Sequence, residues 1–186
     1  RGLVGSEMCI RDSDETAESI KQQPAIAATR EAYKRCGKDP SRYRPSAEAL
    51  RRRLMRGLEL YQIDTLVDLI NLVSLRTGYS IGGFDADKIQ GDSLELGIGR
   101  AEEPFEGIGR GTLNIEGLPV YRDRAGGIGT PTSDNERTKM GLETRRILAI
   151  VNGYNGREGL AEAAGMIQEL LRKYADSDGG TILYFE

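Results

Sequence analysis

Apolar residues recur every three to four positions in several segments between residues 25 and 77, which is the spacing of α-helices. A polar stretch at 14–23 predicts a helix or a frayed lead. Residues 25–36 predict a second helix, because its apolar positions fall on one stripe and Gly37 follows as a stop. That stripe consists of Ile26, Thr29 or Arg30, and Tyr33.

Two further helices are predicted from their end signals. Ser46 is expected to cap a helix with Glu48 in its first turn and leucines on its buried face. Those leucines are Leu50, Leu54 and Leu58. Asp64 is expected to cap a helix that runs to Thr77, with Gly78 in the left-handed conformation at its end. This last helix is apolar almost all round, so we expect it to be buried.

The pattern changes to that of β-strands between residues 78 and 135, a segment that holds more than half of the 24 glycines. Strands are predicted at SLELGI, TLNIEG and LPVYRD, separated by glycine-rich turns. Farther on, RILAIVNGY favours a strand over a short helix, and GGTILYFE predicts a closing strand. Residues 158–174 predict an amphipathic helix with Leu160, Ala164, Ile167, Leu171 and Tyr174 on its inner face. This order of elements is typical of an α+β fold with mostly antiparallel pairing.

Composition narrows the classes of function. At 186 residues the chain predicts one domain, and no apolar run approaches the ~20 residues that span a membrane. Histidine is absent, so acid–base chemistry near neutral pH must use carboxylates, Lys, Tyr or the substrate itself. Its two cysteines have no CxxC spacing, which disfavours a metal or redox site and suits a reducing cytoplasmic setting.

The first thirteen residues, RGLVGSEMCIRDS, resemble a translated sequencing adapter. We therefore expect 1–13 to be a non-native leader and 14–186 to form the domain. Two glycine-rich segments, GRGTLNIEG and GGIGTPTSD, lack the Lys-Ser/Thr of a P-loop. Neither segment joins a hydrophobic strand directly to a long helix. We therefore expect no nucleotide cofactor, no other cofactor and no metal.

Positive charge is concentrated between residues 30 and 57. Ten basic and three acidic residues give this segment a charge of +7, whereas the rest of the chain carries −10. Such a patch on an acidic protein indicates contact with a polyanion, and a solvated helix face is the equally weighted alternative. The arginines expected to bind phosphate are Arg44, Arg51, Arg52, Arg53 and Arg56, and the last four are expected to project away from the leucines.

Two further groups of polar residues are open to two interpretations. Asp68 and Asn71 share one face of an otherwise apolar helix, where they either tie down neighbouring backbone or line a pocket. The loop GGIGTPTSDNERT offers hydroxyls, a carboxylate and backbone N–H groups to a ligand. Its alternative is a capping box that starts a helix, with Ser133 as cap and Glu136 three residues later. The two interpretations of this loop are compatible, since a helix N-terminus also binds anions.

The run VDLINLVSLRTGYSIGGFDADKIQG, residues 67–91, resembles the motif of the B3/B4 domain of the phenylalanyl-tRNA synthetase β subunit. The positions that match by type and spacing are Asp68, Asn71, Val73, Gly78, Phe84, Asp85 and Asp87. YRPSAEALRRRL and PTSDNERT are similar to segments of free-standing copies of that domain. The similarity extends from about residue 25 to the C-terminus.

The resemblance implies a β-sandwich of the B3/B4 type packed against helices, with a pocket formed by the Asn71 helix, the Gly82–Phe84 turn and the loop after Gly127. It also implies that the family's editing histidine falls at Gly82 and that its editing glutamate falls near Asp134. We therefore expect Asn71 and Asp134 to be catalytic. The expected substrate-binding residues are Asp68, Gly82, Gly83, Phe84, Gly127, Thr132, Ser133 and Arg137.

In the synthetase, this domain hydrolyses tyrosine wrongly attached to the tRNA for phenylalanine. The resemblance therefore implies tRNA or aminoacyl-tRNA as the partner, an amino acid in the pocket and, as one hypothesis, deacylation in trans. The other hypothesis is a non-catalytic module that reuses the pocket to bind an amino acid or small molecule. We do not expect aminoacylation itself, because the chain has no room for a synthetase core and shows no ATP-binding motif.

Overall fold

The computed structural model describes residues 15–185, so the leader predicted at 1–13 lies outside the described residues. Five α-helices lie in this part of the chain: α1 Ala17–Gln22, α2 Pro24–Arg35, α3 Ser46–Met55, α4 Thr65–Thr77 and α5 Leu160–Tyr174. Its seven strands are β1 Ile81–Asp85, β2 Glu95–Ile98, β3 Glu106–Gly107, β4 Gly111–Thr112, β5 Pro119–Asp123, β6 Gly126–Gly129 and β7 Ile147–Val151. None of the described helices combines the length and the apolarity needed to cross a bilayer.

Helix α4 follows its local signals closely. The Asp64 carboxylate accepts a hydrogen bond from Val67 N–H, and Gly78 ends the helix in the left-handed conformation with φ 79°. The apolar interior of the helix is buried as predicted. The predicted helix over 25–36 and its stripe are also confirmed, since Ile26, Thr29 and Tyr33 are fully buried.

Helix α3 differs from its prediction at both ends. Ser46 is its first residue rather than its cap, and the Ser46 N–H donates to the carbonyl of Pro131. Leu58 lies beyond the last turn and is 47% exposed, so the buried face does not extend to it. The face instead contains Ala47, Glu48, Arg51 and Leu54, which places two charged side chains where only leucines were expected.

The strands form three antiparallel sheets. β1 pairs with β7 so that Gly82 lies opposite Ile150 and Gly83 opposite Ala149. β5 lies between β2 and β6 in a three-stranded sheet, and β3 pairs with β4 in a short hairpin. These pairings confirm the α+β class and the choice of a strand over a helix for β7.

Two of these sheets meet at one aromatic ring. Phe84 of β1 is fully buried, and its Cζ lies 2.5 Å from the position of a Cβ built on Gly129 of β6. The larger apolar core lies between β1, β7, α4 and α5, where Ile70, Val73 and Ile167 are buried together. A second core beneath the three-stranded sheet contains Tyr33, Phe105, Ile115, Leu118 and Val120.

Three predicted elements are wrong in part or in whole. Residues 181–185 form no strand and are mostly exposed, and Tyr174 at the end of α5 is 47% exposed rather than inward. Within TLNIEG only Thr112 belongs to a strand. The Lys38 ammonium donates to the carbonyls of Asn114 and Glu116, so a side chain takes the place of a neighbouring strand there.

Candidate functional site

A tight turn aims the Asp134 side chain at the edge of β1. The Thr130 hydroxyl accepts hydrogen bonds from the N–H groups of Thr132 and Ser133, and Thr130 N–H donates to the carbonyl of Ser133. Gly129 and Asp134 then form an isolated antiparallel bridge. The turn thus folds residues 130–134 back onto β6 and holds Asp134 beside the β1 strand.

This turn replaces the predicted capping box. Ser133 and Glu136 do not cap each other; the Asn135 side chain caps the short 3₁₀ helix Glu136–Thr138 by accepting from Arg137 N–H. Ser133 instead contributes its N–H to the Thr130 turn. Ser133 and Glu136 match the S-x-x-E pattern of a capping box. Ser133, however, lies within the Thr130 turn and not at the start of a helix.

The Asp134 carboxylate accepts a hydrogen bond from the Gly83 N–H at 3.0 Å. β1 pairs with β7 along its other edge, which leaves this N–H free for a side chain. Burial raises the pKa of Asp134 to about 7, and the Gly83 hydrogen bond only partly opposes that effect. Asp134 as a whole residue is half-buried, whereas its carboxyl group is enclosed by protein.

The space above Gly82 is already occupied. A Cβ built on Gly82 would lie 2.7 Å from Phe84 Cζ and 3.1 Å from Asp134 Oδ1. A Cβ on Gly129, across the gap, would lie 2.9 Å from the same Oδ1. Gly82 is therefore not an open place left by a missing histidine, because the Phe84 ring and the Asp134 carboxyl group need that volume.

The neighbouring Gly83 is closed from the opposite face. A Cβ there would lie 2.6 Å from Met140 Cε and 2.7 Å from Ile70 Cδ1 of α4. The two glycines thus allow the protein's own side chains to approach the β1 backbone. Gly82, Gly83, Phe84 and Asp134, predicted separately as site residues, form one cluster, together with Gly129, which sequence analysis missed.

The two polar residues of α4 are placed differently. The Asp68 carboxylate accepts from Ile63 N–H at 3.2 Å and so ties down the segment before the helix. At 100° per residue, Asp68 lies about 160° around α4 from Ile70, the residue that contacts the Gly83 position. Asn71 lies about 100° from Ile70. Its side chain is partly exposed and makes no hydrogen bond to a described residue.

The other predicted substrate-binding residues lie around this cluster rather than in it. Gly127 faces the second core, where a Cβ would lie 3.0 Å from Phe105 Cδ2. Arg137 forms a bidentate ion pair with Asp123, with N–O distances of 2.8 and 2.9 Å. The Thr132 hydroxyl is hydrogen-bonded to the buried Tyr33 hydroxyl at 2.8 Å and donates to the carbonyl of Tyr43. Its role in the described structure is to fix the turn against α2.

Much of the predicted phosphate-binding surface is engaged inside the protein. Glu48 is fully buried and pairs with Arg30 at 2.8 Å, Arg52 at 2.8 Å and Arg44 at 3.5 Å. Arg51 is buried and donates to Glu15 and to the carbonyl of Leu75. The expected outward orientation is therefore wrong for Arg51 and Arg52.

The remaining arginines of the patch are more open. Arg53 stacks over the Tyr61 ring at 3.9 Å from its centroid and donates to the Tyr61 hydroxyl, whereas Arg56 is exposed. Sequence analysis missed the role of Glu48. Its signal was present, since Arg44 and Arg52 stand four residues before and after it.

A cavity of about 280 Å³ lies on the other side of the 130–134 turn. It is lined by Arg42, Tyr43, Arg110, Thr112, Leu113, Asn114, Ile115, Leu118, Thr130 and Thr132. Of the predicted site residues, only Thr132 borders it. The cavity and the Asp134 cluster are thus two separate places joined by one turn. Among the described residues no group of three or more His, Cys, Asp or Glu side chains is arranged to hold a metal.

Comparison with known proteins identifies the family. The family model described as the B3/4 domain matches residues 28–172, well over half of the chain. The resemblance inferred from residues 67–91 is therefore confirmed. No curated protein matches the chain.

Proposed function

The chain belongs to the B3/4 domain family, a family associated with phenylalanyl-tRNA synthetases, and from that premise we propose that it binds aminoacyl-tRNA and hydrolyses its ester bond in trans. The observation that carries the proposal is the Asp134 carboxyl group. It is held by the Gly83 N–H, and its pKa of about 7 leaves both protonation states populated near neutral pH. A chain without histidine needs such a group for acid–base work.

In the proposed step, ionised Asp134 takes a proton from a water molecule as the water oxygen bonds to the ester carbonyl carbon. When the bond between that carbon and the ribose oxygen breaks, the proton passes from Asp134 to the leaving oxygen. The products are a free amino acid and an uncharged tRNA, and the carboxylate is regenerated. Positioned general bases of this kind contribute roughly 10²–10⁴-fold to a rate.

Two other residues take defined parts in this proposal. Gly83 is a positioning residue, because its N–H is committed to Asp134 and is not available to a substrate oxygen. Asn71 has a partly exposed amide without a partner among the described residues, which leaves it able to bind the substrate. Lys34, Arg35 and Arg56 are exposed cations of the basic segment, and together with the half-buried Arg53 they are the proposed phosphate contacts.

The test is deacylation of tyrosine esterified to the tRNA for phenylalanine, and of other mischarged tRNAs, by the purified protein. We expect a rate above that of buffer, rising with pH through about 7, and a loss of roughly a hundredfold in Asp134→Asn. Asn71→Ala should lower the rate less. Asp92→Asn, a change at an exposed carboxylate, is the matched control and should leave it unchanged. A wild-type rate equal to that of buffer for every substrate would exclude the hydrolase proposal.

A second candidate function is binding without catalysis. The observation that favours it is the internal pairing of Arg30, Arg44, Arg51 and Arg52, which reduces the charge available to a polyanion. An amino-acid binder should gain thermal stability from free amino acids and show no tRNA affinity at low salt. A tRNA binder should lose affinity steeply with salt, and should lose more when Arg53 and Arg56 are both changed to Gln.

A further inference from the structure

The cavity beside the 130–134 turn has the composition of a small-molecule site. Its floor is apolar, formed by Leu113, Ile115 and Leu118, and two of these belong to the buried core cluster around Phe105. Its volume of about 280 Å³ is close to the ~300 Å³ at which ligand pockets in proteins begin. The cavity therefore has room for a ligand with a small apolar body.

The neutral polar groups and the ammonium group around the cavity are largely satisfied. The Thr130 hydroxyl accepts two N–H groups and donates to the Ser133 carbonyl. The Thr132 hydroxyl bonds to Tyr33 and Tyr43, and the Lys38 ammonium, which lies over the Tyr43 ring, donates to two carbonyls. Thr130 and Thr132 line the cavity, whereas Lys38 does not, and their hydrogen-bonding groups have little capacity left for a ligand.

The two guanidinium groups at the rim are different. Arg42 comes from the loop between α2 and α3, and Arg110 comes from the turn between β3 and β4. Neither guanidinium group makes a hydrogen bond or an ion pair with a described residue, although the Arg42 guanidinium lies 5.6 Å from the Tyr43 ring centroid. The nearest carboxylate of the β3–β4 hairpin, Glu106, accepts from the Thr112 hydroxyl instead. Elsewhere arginines such as Arg122 and Arg137 are paired with carboxylates.

We propose that this cavity binds a small molecule that carries an oxyanion on an apolar body, with Arg42 and Arg110 binding the oxyanion and Leu113, Ile115 and Leu118 contacting the body. The shared chemistry is that of a carboxylate or a phosphate, both of which a guanidinium fork binds through paired N–H groups. The site is separate from the ester-hydrolysis proposal, since neither Asp134 nor the glycines of β1 line the cavity.

The test uses three probes that share a phenyl ring: phenyl phosphate, 3-phenylpropionate and the neutral 3-phenylpropanamide. Isothermal titration calorimetry of the full chain should detect at least one of the two anions, with the amide bound at least about tenfold more weakly. The comparison between the two anions tells which oxyanion the site prefers. Competition by inorganic phosphate tests whether the apolar body contributes, since phosphate alone should bind more weakly.

The variants are Arg42→Gln and Arg110→Gln, both at exposed positions. Each should weaken binding of the preferred anion by about tenfold. Arg124→Gln, an exposed arginine in the turn between β5 and β6 that does not line the cavity, is the matched control and should bind as the wild type does. The proposal is overturned if neither anion binds, if the amide binds as tightly, or if both cavity variants retain full affinity.

Discussion

The Asp134 carboxyl group couples folding to pH. Its pKa of about 7 in the folded chain lies above the value of about 3.9 for an unfolded Asp, so the folded state binds more protons between these two pH values. The free energy of unfolding therefore falls as pH rises from about 4 to about 7, and the loss is complete above that range. The full effect is on the order of 4 kcal/mol.

Asp134→Asn should remove this pH dependence. The Asn side chain is neutral at every pH, and its Oδ1 can still accept from Gly83 N–H. Urea unfolding at pH 5 and pH 8 can be followed by circular dichroism. Between the two pH values, the free energy of unfolding of the wild type should fall by at least about 2 kcal/mol more than that of the variant. Equal losses in the two proteins would mean that Asp134 is ionised throughout.

Gly82→Ala should destabilise the protein by about 1–3 kcal/mol, because the new Cβ would meet the Phe84 ring at 2.7 Å. Gly165→Ala is the matched control. Gly165 lies inside α5 with nothing within 4 Å of a built Cβ, so the change should stabilise the protein by about 0.5–1 kcal/mol. Thermal unfolding of the two variants gives the comparison. A neutral effect at Gly82 would show that the Phe84 ring moves freely.

At the scale of single residues, the sequence predicts which residues lie close together but not how their side chains pack against one another. The motif places Gly82, Gly83, Phe84 and Asp134 in one region, and the structure brings them together. The resemblance alone could not predict that the Phe84 ring fills the volume over Gly82. That packing depends on Gly129, which lies 47 positions after Gly82 in the chain. Because Gly129 has no side chain, it leaves room for the Phe84 ring.

The elements of the helical half are joined by charge as well as by apolar contact. Glu48 of α3 holds Arg30 of α2, Arg52 one turn on and Arg44 of the intervening loop. Glu48 is fully buried, whereas the Arg30 and Arg52 side chains are 12% exposed. A buried carboxylate among three guanidinium groups orients α2 and α3, and removing it leaves like charges facing one another.

Glu48→Ala should therefore cost about 3–5 kcal/mol of unfolding free energy in denaturant titration. Glu31→Ala is the control, because the Glu31 pairs with Lys34 and Arg35 are solvent-exposed and should contribute less than about 1 kcal/mol. The expectation fails if the two variants lose similar amounts. Raised salt should weaken the Glu31 pairs and affect the buried cluster much less.

Elements with local signals are the ones the sequence predicts well. The cap at Asp64 and the glycine at Gly78 act within a few residues of α4, so its bounds follow from the sequence. Apolar and polar residues alternate in the segment 112–117 as they do in a strand. Its carbonyl groups at Asn114 and Glu116 instead accept hydrogen bonds from Lys38, which is far away in the chain. Residues 179–185 have strand-like composition but pair with no strand in the described structure. Long-range competition for backbone groups decides both cases.

At the scale of the whole molecule, the described C-terminal residues are weakly attached. The Gln168 side chain donates to the carbonyls of Gly179 and Gly180, and beyond them Leu183 is 69% and Phe185 87% exposed. The fold is therefore held by its two larger cores and the shared Phe84 ring rather than by a closing strand.

Truncation after Thr181 should change the free energy of unfolding by less than about 0.5 kcal/mol. Truncation after Ala175 also removes the carbonyl groups that bind Gln168 and Arg172, and should destabilise α5 measurably. Thermal unfolding of both shortened chains distinguishes these outcomes. A large loss from the shorter truncation would place a stabilising contact in residues 182–186.

Because the chain has no imidazole group, protons bound or released by the Asp134 carboxyl group can be measured with little interference. Most proteins exchange protons near neutral pH through several histidines, and their signals overlap. This chain has no histidine, and burial brings the pKa of the Asp134 carboxyl group into that range. Calorimetric titrations repeated in buffers of different ionisation enthalpy would therefore count protons taken up or released by Asp134 with little background. Any ligand that reaches the Gly83 edge of β1 should be detected by that proton count, whether or not it is hydrolysed.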